Sequence, residues 1–600
     1  MNIDELFQKS GIPSKRKLEP VRDPTEIYKS TKLPSTTNRH ARVDDFHQAY
    51  TEAGPLPPTD GDDEADYGPS APPPDDDEEE AGDDEEGRFF GGGISRTERE
   101  ILDFVDSAGN QEEDAAIPAD SDESVDLSWL KRTALAFEKK ITRNAELRAR
   151  HADEPHRFID SEADLDAAIK TLSILSEHPS LYPDFARLGC VGSLVSLLAH
   201  ENTDIAIDAV EIVDELTDED VAASEEQWSA LVDALLEADL LGLLVSNFHR
   251  LDESQEADRE GVYRGLGVVE NLCSKPETAE VVGADEALLK WLLERAGRAE
   301  KPVGQNKQYA AEILAILVQS STKNRRRLAE LDAVDALLQL VAAYRKRDPE
   351  KGGDEEEYME NLFEALTCIA DEPEGKAKFV DAEGVELCLI MLKEGKLSKP
   401  AALRLLDHAA TGPAGSGVCQ KIVEAGGLKT TFTMFMKKQD QRTTEHLLGI
   451  FASMLRLLPA DSAERIRTLS KFVEKDYEKT VKLMRLRGEY AGVMKGVDDR
   501  IKEEQRGMSE DEREEMADDW FSRRLDAGLF CLQTIDVILA WLVAEDDGAK
   551  KKIQALLADR DETFATIRAT IQEQIDGIDA ETADAKETKE MLATLVEFLE

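Results

Sequence analysis

The stretch "LDAVDALLQLV" at Leu331–Val341 has counterparts at regular distances along the middle of this chain. The counterparts are "LGCVGSLVSLL" at 188–198, "ADLLGLLVSNF" at 238–248, "GADEALLKWLL" at 283–293, "AEGVELCLIML" at 382–392 and "AGGLKTTFTMF" at 425–435. The matching apolar positions are Val191, Leu241, Ala287, Val334, Val385 and Leu428. They follow one another at intervals of 50, 46, 47, 51 and 43 residues. The chain is therefore built from repeated units.

A period in the forties that contains only helical patterns is typical of armadillo or HEAT repeats. No stretch alternates apolar and polar residues for long enough to predict a strand. A single unit of this kind cannot bury its own apolar face, so the units stack and present a long groove. We predict an all-α, armadillo/HEAT-type right-handed superhelix with helical caps, preceded by a disordered acidic N-terminal tail.

Composition and periodicity divide the chain into four parts. Residues 1–125 form the predicted tail, because fifteen acidic residues and no basic one lie between Asp60 and Glu86. Residues 126–185 are predicted to be capping helices, the second of which has an N-cap signal at Ser161 and Asp164. Residues 186–458 carry the armadillo-like repeats, and 459–600 form a C-terminal helical extension and cap.

The net charge of -54 opposes direct binding to nucleic acid and favours basic partners. Removal of the fifteen acidic residues of the tail run still leaves −39 on the rest of the chain. A solvated acidic surface that only keeps the protein soluble is the alternative interpretation. Three basic residues, Lys15, Arg16 and Lys17, form a candidate nuclear-localisation cluster, although a chance solvated cluster gives the same pattern.

Redox and membrane signals are weak throughout the chain. The six cysteines form no CxxC pair, which predicts reduced and buried thiols. The first residues contain no apolar secretory core. The longest apolar stretch, 525–543, is interrupted by Asp526 and Asp536, so we predict a buried helix and no membrane partner.

Catalytic signals are also missing from the sequence. The stretch "GPAGSG" at 412–417 lacks the lysine and the preceding strand of a phosphate-binding loop. The nine histidines form no metal-binding motif, and no arrangement of nucleophile and base follows from spacing. We predict that the protein is not an enzyme and holds no cofactor or metal.

The third helix of each unit is the predicted lining of the groove. The candidate residues are Glu211, Asp214, Glu215, Glu270, Asn271, Glu312, Asn361, Glu364, Asp407 and His408. Carboxylates and amides at repeat spacing suit an extended Lys/Arg-rich segment, because charged hydrogen bonds recognise such side chains. The alternative is that they are ordinary solvent-facing positions of an acidic protein.

Four longer segments resemble beta-catenin-like protein 1 in order and spacing. They are "DLSWLKRTALAFEKKITRNAELRAR", "LLAHENTDIAIDAVEIVDELTD", "ALRLLDHAATGPAG" and "RRLDAGLFCLQTID". The resemblance runs from about Leu127 to Glu600 and is greatest to fungal members. It implies a nuclear armadillo-like protein that accompanies the nineteen complex of the spliceosome and binds basic segments of the Myb-like cell-division-cycle-five scaffold. A homodimer is compatible with the sequence.

Two other functional classes stay open at this point. An importin-alpha-like transport adaptor would also bind basic signals in an armadillo groove. Its arm would be strongly basic, however, whereas the N-terminal segment here is acidic outside residues 15–17. The second alternative is an armadillo regulatory subunit of an enzyme.

Overall fold

A computed structural model of the chain describes residues 124–579 and 582–600, and all regular secondary structure in these residues is helical. The predicted all-α architecture is therefore confirmed for this part of the chain. The predicted tail lies outside the described residues except for its last two positions. The candidate localisation cluster at Lys15, Arg16 and Lys17 also lies outside them.

Two helices precede the repeats. Helix α1 (Leu127–Arg150) starts behind Asp126, whose carboxylate accepts hydrogen bonds from the amides of the first turn. Helix α2 (Ile159–Thr171) packs along it. The prediction that Ser161 caps this helix is wrong, because α2 begins two residues earlier. The buried Ser161 hydroxyl instead donates to the carbonyl of Phe158 and accepts from the Asn144 amide.

Units of three helices follow, and the last helix of each unit packs against the last helix of the next. In chain order the units are α3 (Tyr182–Arg187), α4 (Cys190–Ser196) and α5 (Thr203–Thr217); α6 (Glu225–Glu237), α7 (Leu240–Arg250) and α8 (Glu256–Leu272); α9 (Pro276–Val282), α10 (Glu286–Gly297) and α11 (Gln305–Ser320); α12 (Thr322–Glu330), α13 (Ala333–Val341) and α14 (Asp354–Asp371); α15 (Pro373–Asp381), α16 (Gly384–Glu394) and α17 (Ser398–Ala410); α18 (Ser416–Glu424), α19 (Gly427–Met436) and α20 (Gln441–Leu457). We call the row formed by α2, α5, α8, α11, α14, α17 and α20 the third-helix row.

The repeated stretch marks the start of the second helix in each unit. Five of its six apolar positions are buried, and each of these five follows a residue in the left-handed backbone region two positions earlier. The left-handed residues are Gly189, Asp239, Asp332, Glu383 and Gly426. A single residue of this conformation turns the chain sharply between two helices and directs the next apolar residue into the core.

The third copy departs from this rule. Asp285 is not left-handed and caps α10 by accepting a hydrogen bond of 2.8 Å from the Leu288 amide. The helix therefore enters the unit with a different rotation. Ala287, the predicted buried position, is exposed, and Leu288 and Leu289 are buried in its place.

The C-terminal segment continues the core. Helix α21 (Ala463–Glu504) is interrupted at Glu474–Tyr477. Its Phe472 packs edge-on against the stacked rings of Phe432 and Phe451, with centroid distances of 5.0 and 5.8 Å. The remaining helices are α22 (Glu510–Glu515), α23 (Ala517–Asp526), α24 (Leu529–Glu545), α25 (Asp547–Ala558), α26 (Phe564–Gly577) and α27 (Ala583–Glu597). Helix α24 packs against α20 and so takes the next place after the third-helix row, and α26 and α27 cover it.

Helix α24 is the apolar stretch noted in the sequence. In the described residues no single helix is long and apolar enough to cross a membrane. The pair Glu510–Asp526 and Leu529–Glu545 meets the length and composition criteria only together, with a bend of 64°. Most of α24 is buried against its helical neighbours, as the sequence predicted. All six cysteines are buried and unpaired, and burial raises the pKa of the Cys368 thiol to about 12.

The left-handed turn yields a paired test of the repeat. A Cβ atom added at Gly426 or at Gly492 would meet no atom within 4 Å, but only Gly426 has a positive φ, of 75°. We expect Gly426→Ala to lower the free energy of unfolding by about 1 kcal/mol, because L-residues are strained there. Gly492→Ala, inside α21, should raise it by about 0.5–1 kcal/mol. Urea unfolding checks both, and equal signs would contradict the assignment of the turn.

Candidate functional site

Most of the predicted groove residues lie in the seams between neighbouring third helices. Eight of the ten are buried: Asp214, Glu270, Asn271, Glu312, Asn361, Glu364, Asp407 and His408. Glu211 and Glu215 on α5 are partly exposed. A buried polar group requires a partner, so the contacts of each residue decide whether it remains available to a ligand.

The seam between α5 and α8 is organised around one arginine. The Arg264 guanidinium lies 3.6 Å from Glu211, 3.5 Å from Asp214 and 3.3 Å from Glu260. The Asn271 amide donates to the Asp214 side chain and carbonyl, both at 3.2 Å. The carboxylates of this seam are therefore already partly neutralised by a side chain of the same chain.

Glu215 faces the preceding seam. Its carboxylate accepts hydrogen bonds from the hydroxyls of Ser173 at 2.8 Å and Ser176 at 3.1 Å. Both serines lie in the short 3-10 helix Leu172–Glu177, which extends α2. Glu215 thus links the N-terminal helices to the first unit.

The seam between α8 and α11 is closed by tyrosine. The Tyr309 hydroxyl donates to Glu270 at 2.5 Å, and its ring lies 5.1 Å from that of Tyr263. Burial, and then the nearby Glu270 carboxylate, raise the pKa of Tyr309. Glu312 accepts from the Gln308 amide at 3.0 Å within α11. Glu270 and Glu312 therefore serve internal contacts.

Glu364 joins three consecutive third helices. Its carboxylate accepts from the Gln319 amide of α11 at 2.9 Å and from the Arg404 guanidinium of α17 at 2.8 Å. The residue is 4% exposed. Since removal of one partner of a buried ion pair leaves an uncompensated charge, this contact holds the helices in register.

A buried acid–histidine pair occupies the seam between α17 and α20. Asp407 lies 3.0 Å from the Nδ1 atom of His446. The neighbouring His408 has no hydrogen-bond partner at Nε2 within the described residues, and burial lowers its pKa. His408 is therefore a neutral internal side chain, while His446 lines an open cleft next to the row.

Two glycines allow the buried aspartates to sit so close to the next helix. A Cβ atom at Gly267 would lie 2.6 Å from Asp214, and one at Gly449 would lie 2.4 Å from Asp407. Neither glycine belongs to the predicted site. Each glycine follows its aspartate by about one repeat length in the sequence. Only the structure shows that the glycine and the aspartate are in contact.

Three basic or aromatic contributors were also absent from the prediction. Arg264, Arg404 and His446 all lie on third helices and contact predicted carboxylates. The selection of acidic and amide residues alone excluded them. Two arginines on the predicted third helices were the available signal, because a buried carboxylate needs a cationic partner.

A further acidic pair lies where α2 meets α5. The Lys170 ammonium is 2.5 Å from Asp166 and 3.6 Å from Asp208. Burial, and then the hydrogen bond with Asp166, raise the pKa of Asp208 to about 7. The two carboxyl groups therefore share a proton near neutral pH.

This shared proton predicts a pH-dependent stability. The folded-state pKa of Asp208 is about 7 and its ordinary value is 3.8. The stabilisation that the neutral Asp208 carboxyl gives the folded state is complete below the ordinary pKa of 3.8. It is lost as the pH rises through the folded-state pKa of about 7. Asparagine stays neutral, so Asp208→Asn should gain stability over the wild type between pH 5 and pH 8, by about 1–3 kcal/mol.

Urea unfolding at pH 5, 6.5 and 8 measures the effect. Asp233→Asn is the matched control, because Asp233 is exposed on α6. A difference between Asp208→Asn and wild type that stays constant across this range would contradict the shared proton.

The stacked three-helix units and the polar seams between their third helices define an armadillo-type repeat protein. A family model described as "Catenin-beta-like, Arm-motif containing nuclear" matches residues 99–572. The chain belongs to this family of beta-catenin-like armadillo proteins. The resemblance inferred from the sequence is thereby confirmed.

Individual relatives agree with the family match. The Beta-catenin-like protein 1 homolog of Schizosaccharomyces pombe is 38% identical over 502 residues, or 84% of this chain and 86% of that protein. Human Beta-catenin-like protein 1 is 37% identical over 494 residues, or 79% of this chain and 86% of that protein. Among solved structures, an engineered protein with 16% identity aligns at a TM-score of 0.42 over 72% of this chain and 95% of its own.

Proposed function

We propose that this chain is a non-catalytic nuclear scaffold of the pre-mRNA splicing machinery, associated with the nineteen complex. Its third-helix row binds basic, localisation-signal-like segments of partner proteins, among them the Myb-like cell-division-cycle-five scaffold. Membership of a family described as nuclear and Arm-motif containing supports the cellular setting. The resemblance to beta-catenin-like protein 1 supports the splicing role.

The charge of two third helices carries the binding proposal. Helix α5 contains five acidic and no basic residues, and helix α14 contains seven acidic and no basic residues. The seams bury part of this charge, but Glu211 on α5 and Glu260 on the neighbouring α8 keep side-chain exposures of 47% and 58%. Exposed carboxylates on stacked helices attract an extended cationic segment and set its orientation.

Affinity purification from nuclear extract tests the cellular role. The tagged full-length chain should enrich cell-division-cycle-five-type and nineteen-complex proteins above a tag-only control. Enrichment of nuclear import carriers without splicing proteins would instead favour a transport adaptor. Stoichiometric recovery of one catalytic subunit would favour a regulatory subunit, and either result overturns the proposal.

Binding is tested with charge-neutralised variants. Glu211→Gln with Glu260→Gln removes two exposed carboxylates beside Arg264 and leaves that guanidinium paired with Asp214. We expect this double variant to weaken binding of a fluorescent octapeptide of alternating serine and arginine about three- to tenfold, since exposed ion pairs contribute roughly 0.2–1 kcal/mol each. The wild-type affinity should fall steeply with added salt.

The control carries the same charge change outside the third-helix row. Glu294→Gln with Glu590→Gln neutralises exposed residues of α10 and α27. Buried positions such as Glu270 are unsuitable for this test, because their substitution would disturb the fold and a change in binding could not be separated from that effect. Equal loss in both double variants would show that net charge alone governs the interaction and that the row is not the binding surface.

A further inference from the structure

Helix α1 is the basic exception in an acidic chain. It carries seven basic and two acidic residues, whereas the whole chain has a net charge of -54. The helix packs mainly against α2, so its outer side faces solvent. The charged residues on that exposed surface are five basic ones and one acidic one, namely Lys131, Arg132, Lys139, Arg143, Arg150 and Glu146.

Four of these cations form one strip along the outer side of α1. We call Arg132, Lys139, Arg143 and Arg150 the basic ridge. Their spacings of seven, four and seven residues place them within about 40° of one another around the helix axis. Leu130, which is 0% exposed, marks the opposite side of the helix. At 1.5 Å per residue the ridge is about 27 Å long.

Arg148 shows what happens to a basic side chain of α1 that faces the stack. Its guanidinium pairs with the carboxylates of Glu162 and Glu201 and lies 4.7 Å from the centre of the Phe158 ring. These contacts leave the Arg148 side chain 19% exposed. Internal carboxylates therefore neutralise the inner side of the helix.

The basic ridge is compensated far less. Arg143 lies 3.7 Å from Asp164, but both side chains are more than half exposed, at 68% and 53%. Lys139 and Arg150 form no ion pair with another described residue. Lys139 and Arg143 are four residues apart on the helix, a spacing at which like charges repel. An anionic partner placed along the ridge would relieve this repulsion.

We propose that the basic ridge binds an acidic segment of a partner protein. An extended segment of about eight residues covers its length, since an extended chain advances about 3.3–3.6 Å per residue. Carboxylates of the segment pair with the guanidinium groups of Arg143 and Arg150, whose planar fork suits two-point hydrogen bonding. Helix α1 lies outside the third-helix row, so this inference does not depend on the proposed binding of basic segments. A chain with both surfaces joins a basic partner to an acidic one.

The test uses the full-length protein and fluorescence anisotropy at low ionic strength. The probe is a fluorescent octapeptide that alternates serine with glutamate. We expect Arg143→Gln with Arg150→Gln to weaken its binding about three- to tenfold, because each exposed ion pair contributes little by itself. The wild-type affinity should fall as salt rises, since the Debye length shrinks from about 10 Å at 0.1 M to about 3 Å at 1 M.

The matched control is Arg345→Gln with Arg568→Gln. Both arginines are exposed and lie outside α1, so the control carries the same change of charge and should bind as wild type does. Ala136→Glu keeps the test valid if the ridge variant unfolds. Ala136 is exposed beside the ridge, and a carboxylate four residues before Lys140 supports the helix while it repels an acidic segment. It should therefore weaken binding without lowering the melting temperature.

Four outcomes would overturn the inference. The first is equal loss in the ridge variant and the control, which would show that net charge alone governs binding. The second is a wild type that does not bind the glutamate peptide. The third is binding that appears only after Asp75–Glu80 are replaced by their amides, which would show that the acidic run of this chain is the occupant. The fourth is tighter binding of a uridine octamer that the ridge variant loses, which would indicate nucleic acid.

The serine–arginine octapeptide separates this inference from the proposed function. The ridge variant should bind that peptide as wild type does, because the third-helix row is unchanged. A wild type that binds the glutamate peptide through the ridge but does not bind the arginine peptide would overturn only the proposed function.

Discussion

The packing of each third helix between two others is the constraint on which the rest of this structure depends. Helix α11 shows its full effect, because every residue from Asn306 to Val318 is buried. A helix buried all round has no face left for solvent or ligand along that length. Its polar side chains must find partners inside the protein, as Gln308 and Glu312 do with each other. The acidic helices α5 and α14 lie on either side of this closed segment in chain order.

Polar contacts recur in the seams because the stacked helices bury polar groups that cannot remain unpaired. Asp214 with Asn271, Glu270 with Tyr309, and Asp407 with His446 each join one third helix to the next. Such contacts depend on direction and distance, whereas apolar contacts tolerate small shifts. The seams therefore fix the register of the stack, and the same carboxylates are largely withdrawn from ligand binding. Partner recognition falls to the carboxylates that stay exposed beside them.

The C-terminal helices also pair their buried polar groups, here in a buried ionic cluster. Asp536 lies fully buried in the apolar helix α24, where Arg487 donates to it at 2.7 Å and also to Glu562 at 2.8 Å. Burial raises the pKa of Asp536 to about 6, while Arg487 opposes the shift. This arrangement explains how the strongly apolar helix α24 carries a charged residue and packs inside a helical stack.

The sequence by itself determined the repeated unit, because a left-handed residue and the apolar residue two positions later act locally and recur at a readable period. It also determined the family, through segments whose order and spacing match. The sequence did not determine which third-helix residues are exposed, because the seam around each of them is built by units more than forty residues away in the chain. Spacing selected Glu270 and Glu364 as groove residues, but the tertiary structure buries them against Tyr309 and Arg404. The cleft beside His446 likewise exists only where three helices from three units meet, and only tertiary packing creates it.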